Sequence, residues 1–236
     1  MTYRFATASE VGPRPDNQDA VAVWPLTDDR MAVAIADGLG GYHGGRQASD
    51  TAIRMIGAAF DQEVDVDLRS QAYAIHDEIR KQQQLDAGVR GMATTLSAAL
   101  LTHGRISYVH CGDTRIVIQR RNGIKRLTVD QTEAQRLLDA GSITRDEFAS
   151  YPRKHVLQSA LGIADIPRID VGSWDTLPGD RIFLSSDGVH GKVFVREILE
   201  ISKLSTSPEI AVSEIMKLVD ERGPEDNYSL AAIFID

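Results

Sequence analysis

Cysteine is nearly missing from this 236-residue chain, where Cys111 stands alone. An internal disulfide is therefore excluded, and a reducing compartment is expected. Cys111 follows an apolar run and reads as a small buried hydrophobe, not a nucleophile. A basic excess is lacking too. Lys and Arg number 26 against 34 Asp and Glu, a net charge of −8 that argues against nucleic acid as a partner. No apolar stretch nears the ~20 residues that a membrane helix needs. The opening Met1-Thr2-Tyr3-Arg4-Phe5 lacks the apolar core of a signal peptide. A cytoplasmic protein with no membrane partner is expected. Repeats and low-complexity tracts are absent as well.

What is present is an ordinary globular composition, 42% hydrophobic and 25% charged, on a chain long enough to bury a large core. Apolar runs rich in β-branched residues at 20–24, 31–36, 95–101, 106–111, 116–119, 169–172, 181–184 and 228–235 read as strands. Asn122-Gly123 signals a two-residue hairpin, and His103-Gly104 another. Apolar residues at helical spacing mark helices over 46–60, 67–85, 193–201 and 208–219, the last with Ser207 as cap and Pro208 in its first turn. Helices come in consecutive pairs separated by a block of strands. That order suggests antiparallel sheets with helices packed outside, an α+β class, and not a strict βαβ alternation. Residues 130–161 mix a short helical pattern with Gly141, Pro152 and basic residues, and read as a protruding excursion.

The most telling residues are aspartates set beside turn formers. Asp37 heads Asp37-Gly38-Leu39-Gly40-Gly41, Asp113 follows Gly112, Asp187 precedes Gly188, and Asp226 precedes Asn227. Asp19, just ahead of the run at 20–24, is a fifth candidate. Each alone is a plausible tight turn. An aspartate at a strand end, however, points its carboxylate out of the sheet edge. Several such groups converging on one point repel each other unless a cation sits between them, and hard oxygen ligands suit Mg²⁺ or Mn²⁺. Arg14, between Pro13 and Pro15, is stiffened in place and suited to bidentate phosphate binding.

In that order the motifs resemble the metal-dependent protein serine/threonine phosphatases of the type 2C class, in their compact bacterial form. Gly12-Pro13-Arg14-Pro15-Asp16-Asn17-Gln18-Asp19 is similar to the family's opening G-x-x-R-x-x-N-E-D, and Asp37-Gly38-Leu39-Gly40-Gly41 to D-G-M-G-G. Ala93-Thr94-Thr95 resembles G-T-T, and Gly112-Asp113-Thr114-Arg115 resembles G-D-S-R. Gly141-Ser142-Ile143-Thr144 is similar to the family's flap segment, and Val156 to Gly162 to the stretch just C-terminal of the flap. Ser186-Asp187-Gly188 and Asp226-Asn227 match the late metal motifs. Departures are one residue fewer between Gly12 and Arg14, Gln18 for glutamate, Tyr42-His43 where a histidine directly follows the glycines, Ala93 for glycine, and His190-Gly191 after Asp187-Gly188.

The resemblance implies an α-β-β-α sandwich, two central antiparallel sheets flanked by helix pairs, in a single catalytic domain over 1–236 with a flap around 130–161. It implies a two-metal centre of Mn²⁺ or Mg²⁺. Asp37 would bridge the ions, the Gly38 carbonyl would bind one, and Asp187 and Asp226 would hold the other. Asp19 would act near the second ion through water, Asp113 with Asp187 would suit a third, weaker ion, and Arg14 would hold the substrate phosphate. A metal-bridging hydroxide would attack phosphoserine or phosphothreonine, with His43 the nearest candidate general acid by sequence. Arg145, Arg153 and Lys154 of the flap would meet acidic or phosphorylated substrate. Phosphorylated proteins and a cognate serine/threonine kinase are the partners implied, and a monomer is expected. Two other readings stay open: a catalytically weak binding module on the same fold, and a metallohydrolase of small phosphate esters.

Overall fold

The structure, a computed structural model, describes residues 1–40, 44–62, 65–163 and 166–236. Two antiparallel sheets lie face to face. One has the strand order β1 (Tyr3–Glu10), β11 (Tyr228–Ile235), β10 (Arg181–Ser185), β7 (Arg115–Arg120), β8 (Gly123–Arg126). The other runs β2 (Asp19–Thr27), β3 (Arg30–Leu39), β5 (Leu96–Thr102), β6 (Arg105–Cys111), β9 (Asp170–Asp175), with the short β4 (Ala93–Thr94) paired to the end of β3. The helices α1 (Gly44–Gln62) and α2 (Leu68–Leu85) cover the second sheet, and α6 (Val195–Leu204) and α7 (Pro208–Glu221) cover the first. This is the expected sandwich.

Strand β3 shows how the layers arise. Its residues alternate between two apolar environments. Met31, Val33 and Ile35 fill the space between the sheets with Ile116, Ile182 and Ile233. Ala32, Ala34 and Ala36 face α1, where Ala48, Ala52 and Ile56 meet them. Small residues on that face let the helix lie close. A strand apolar on both sides must be central and covered on both faces, which is why 31–36 carries no polar alternation. The strand stays apolar until Asp37, the first residue beyond the packed layers.

Some local expectations shift. The run 3–10 forms β1, although its polar, mostly exposed outward positions gave no apolar signal. It is an edge strand, recruited by its pairing with β11 along the full register Tyr3↔Ile235 to Glu10↔Tyr228. The β7–β8 turn is Arg121-Asn122, not Asn122-Gly123. Arg120 pairs with Gly123, and Arg121 takes the left-handed φ of 54°. The His103-Gly104 turn forms as expected, with φ of 47° and 78°. Asp187 does not end a strand; it opens a short helix, α5 (Asp187–His190), directly after β10.

Candidate metal and phosphate centre

Asp19 and Asp37 are direct cross-strand partners of β2 and β3, so their side chains leave the sheet on the same face. The peptide of Asp37 is tightly held. Its N–H donates to Thr95 Oγ1 at 2.8 Å, and its carbonyl accepts from Thr94 Oγ1 at 3.0 Å and from the Thr95 N–H at 2.9 Å. This is the work of the Ala93-Thr94-Thr95 segment. Gly38 is required by contact: a Cβ there would lie 2.1 Å from the Gly45 carbonyl oxygen, where α1 begins.

Other strand ends bring the remaining groups. At the end of β10, Ser186 donates from Oγ to Asp19 Oδ2 at 2.6 Å and accepts from the Ser229 N–H at 2.9 Å. It thereby ties the two sheets together next to Asp187. Gly188 has no room for a side chain, since a Cβ would sit 2.0 Å from the Asn227 carbonyl oxygen. Asn227 organises the opening loop: Oδ1 accepts from the Gln18 N–H at 2.9 Å, and Nδ2 donates to the carbonyls of Val11 at 2.7 Å and Asp16 at 3.0 Å. Arg14, exposed on that loop, pairs with Asp226 at 2.7 Å. Asp113 is buried on the β6–β7 turn, and its carbonyl faces His190 Nε2 at 3.0 Å. A cleft of about 550 Å³ is lined by Arg14, Asp37, Gly38, His155, Asp187 and Asp226.

These acids act on one another. Burial, then the nearby Asp187 and Asp226, push Asp19 up to about 7 despite its hydrogen bond from Ser186. Burial and the charges of Asp19, Asp187, Asp113 and Asp226 push Asp37 well above the ordinary carboxylate range. Asp113 is raised in the same sense by burial and by Asp187, and Asp187 by burial and Asp226. Each pays for its neighbours, as like charges in a low-dielectric corner must.

A divalent cation fits this chemistry. The buried Asp19 Oδ1 has no hydrogen-bond partner, an oxygen left for a hard cation or its water. The donors are carboxylate oxygens and backbone carbonyls, with no thiolate near. Among the described residues, no three His, Cys, Asp or Glu side chains form a ready-made ligand set. Asp226 is turned to Arg14 and Asp19 to Ser186. The backbone arrangement is therefore built while the carboxylates still use local partners.

The excursion after β8 stands over this end of the sandwich. It carries α3 (Glu133–Asp139) and α4 (Arg145–Ser150). Its base is fastened to the turn that presents Asp113. Gln131 Oε1 accepts from the Gly112 N–H at 2.9 Å, and Asp130 receives both Nε and Nη2 of Arg115 at 3.0 and 2.6 Å. Of the basic residues expected to face substrate, Lys154 lines the space beside the cleft. Arg153 is instead taken by Glu133, with two contacts of 2.9 and 2.8 Å, and Arg145 does not line it. His43 lies outside the described residues, as do Gly41 and Tyr42. The sequence alone did not single out Ser186, Asn227, His155 or Lys192. Ser186 and Asn227 stand beside Asp187 and Asp226 in the motifs, a signal that adjacent polar residues have positioning roles. Cys111 is fully buried with its thiol pushed up to about 12 by burial, as expected of an inert residue.

With this geometry in hand, the likenesses to known proteins are specific. Protein phosphatase PhpP of Streptococcus pneumoniae is 30% identical over 226 residues, 93% of this chain and 92% of that protein. The Mycobacterium tuberculosis serine/threonine phosphatase PstP/Ppp superposes with a TM-score of 0.91 at 28% identity, over all of both chains. The catalytic domain of the protein phosphatase PstP, solved in complex with 2 manganese ions, matches with a TM-score of 0.85 and 28% identity over 99% of each chain. The sequence model of the family described as Protein phosphatase 2C matches residues 14–227, from the arginine of the opening loop to the asparagine that holds that loop in place. The chain belongs to the protein phosphatase 2C family.

Proposed function

We propose that this phosphatase hydrolyses phosphoserine and phosphothreonine in proteins at the cleft between Arg14 and the carboxylates, by direct attack of a metal-bridging hydroxide and without a phosphoenzyme. The observation that carries this reading is the meeting of Asp19, Asp37, Asp113, Asp187 and Asp226, from separate segments of the chain, beside one exposed arginine. When bound, two Mn²⁺ or Mg²⁺ ions would lower the pKa of water enough to make hydroxide available near neutrality. The manganese found in the related PstP structure supports that choice of ion.

The chain's own residues have distinct tasks. Asp37, whose peptide Thr94 and Thr95 fix, would hold both ions, with the Gly38 carbonyl as a further donor to one. Asp187 and Asp226 would hold the other. Asp19, oriented by Ser186, would act on the second ion through water. Asp113 with Asp187 would suit a third, weaker ion. Arg14 exchanges Asp226 for the substrate phosphate, where two parallel N–H donors neutralise charge and orient the ester in line. His43, next to the glycine-rich loop in sequence, is the proposed proton donor to the leaving alkoxide. The burial of Cys111 removes it as a nucleophile. The whole of 1–236 acts as one catalytic domain with residues 130–161 as its flap. We further expect a cytoplasmic monomer opposing a serine/threonine kinase. Among the described residues, no helix is long and apolar enough to cross a membrane.

The test is turnover of a phosphothreonine peptide and of p-nitrophenyl phosphate with Mn²⁺ and again with EDTA. Turnover that depends on Mn²⁺ is expected for both. A chain inert toward each would be a binding module; one active on small esters alone would be a small-ester hydrolase.

A further inference from the structure

Beside the catalytic cleft a second hollow of about 450 Å³ opens, and the two share Arg14, His155, Asp187 and Asp226 as walls. The remaining wall of the second hollow includes Lys154, Lys192 and Glu225. Its basic groups come from separate segments: Arg14 from the opening loop, Lys154 and His155 from the flap, and Lys192 from the turn after α5. Such a gathering differs from a solvated charge run, because folding and not sequence adjacency assembles it.

Lys192 is mostly withdrawn, its side chain 21% exposed, and its Nζ donates to Glu225 at 2.7 Å. Glu225 itself is 85% exposed. Glu225, on a solvent-exposed side chain, thus occupies a spot beside the withdrawn Lys192, on a wall that Lys154, His155 and Arg14 also form next to Asp187 and Asp226. An exposed partner is cheaply displaced, since such an ion pair contributes little. What the hollow retains after displacement is a place for an anion.

Resting on the phosphatase reading, we propose that this hollow is a second anion subsite. It takes a carboxylate or a further phosphate carried by the substrate protein within a few residues of the scissile phosphate, and Glu225 is the resident anion that the substrate displaces. Adjacent walls make the spacing short, and an extended peptide advances only about 3.3 Å per residue. The flap then contributes to selectivity through Lys154, at its last turn, and not through Arg145 or Arg153.

The experiment uses three peptides that share one phosphothreonine and differ at a flanking position, which is Ala, Glu or phosphoserine. kcat/KM is measured with Mn²⁺, and the affinity of matching peptides carrying non-hydrolysable phosphonates is measured by fluorescence anisotropy. The wild type should favour either acidic peptide over Ala by about tenfold, a difference of about 1.4 kcal/mol. The larger of the two gains identifies the occupant. In Lys154→Met/Lys192→Met the ratio should fall close to one, and in Glu225→Gln it should widen by about threefold. A wild-type ratio of one, or a ratio that survives the double substitution, overturns the subsite. Failure of the phosphatase reading would appear separately, as no Mn²⁺-dependent turnover of any peptide; the anisotropy ratios still decide the subsite in that case.

Discussion

Two buried aspartates at opposite ends of the sandwich have opposite surroundings. Asp180, just before β10, is 1% exposed, and Asp19, at the start of β2, is 8% exposed. Asp180 is fully satisfied: Arg120 donates to both of its oxygens at 2.9 and 2.7 Å, and the Leu177 N–H adds a third bond at 2.9 Å. Asp19 accepts from Ser186 on Oδ2, with Ser229 close by, has no partner on Oδ1, and has other carboxylates around it. The far end uses its charge to hold strands together. The near end keeps its charge unbalanced, a local cost that a folded protein sustains only where a ligand relieves it. Burial alone therefore does not mark a functional acid; burial without a partner does.

Four measurements would break or sharpen this contrast. The largest effect is catalytic. Asp37→Asn, Asp187→Asn and Asp226→Asn should each lower Mn²⁺-dependent kcat on a phosphopeptide by about 10³-fold or more, because each removes charge where the reaction develops it. Full turnover in any one variant removes that residue from the ligand set. Next, Arg120→Ala should destabilise the fold by about 3 kcal/mol in urea titrations, since it strands Asp180 as an unpaired buried charge. A loss under about 1 kcal/mol would mean that water reaches Asp180 and that the two ends differ less than their hydrogen bonds suggest.

The third measurement uses pH. Asp19 is raised from 3.8 to about 7 in the folded chain. Between those values the native state holds a proton that the unfolded chain has lost, so stability falls as pH rises through that window. With EDTA, thermal midpoints should therefore drop from about pH 5 to about pH 8. Mn²⁺ at a hundred times its Kd should add about 2.7 kcal/mol, and more at pH 8 than at pH 5, because cations compete with protons for the same oxygens. A midpoint that rises with pH in EDTA would reverse the sign and defeat the electrostatic picture. The smallest effect is Asp19→Asn, which keeps the acceptor for Ser186 and removes one charge. In EDTA it should stabilise the fold by about 1 kcal/mol, the opposite sign to Arg120→Ala. A loss of stability would place Asp19 with Asp180 as a structural acid.

Much of this was legible in the chain. Period and composition gave the central strands and the outer helices, because β3, β5 and β11 each carry a long mostly apolar run and α1 and α7 repeat at helical spacing. The aspartates were visible because each sits at one edge of an apolar run. Strand β1 was not, since an edge strand owes its structure to a partner far away in the chain. The Arg121-Asn122 turn was missed because the Asn-Gly signal competes with the register set by Arg120↔Gly123. Arg153 looked like a substrate contact until Glu133 was seen to occupy it. Sequence gives the charge of such a side chain and says nothing of who has already claimed it.

The asparagine beside Asp226 has a consequence for how the molecule comes into being. Asn227 clasps Val11, Asp16 and Gln18, and β11 zips along β1. Residues 3–18 and 227–235 thus have to find each other before the opening loop has a shape, and closures of such long range are slow to form. Without residues 226–235 the opening loop loses its clasp at Asn227, β1 loses its partner and the cleft loses Asp226, so the site is held together by pairing between segments more than 200 residues apart.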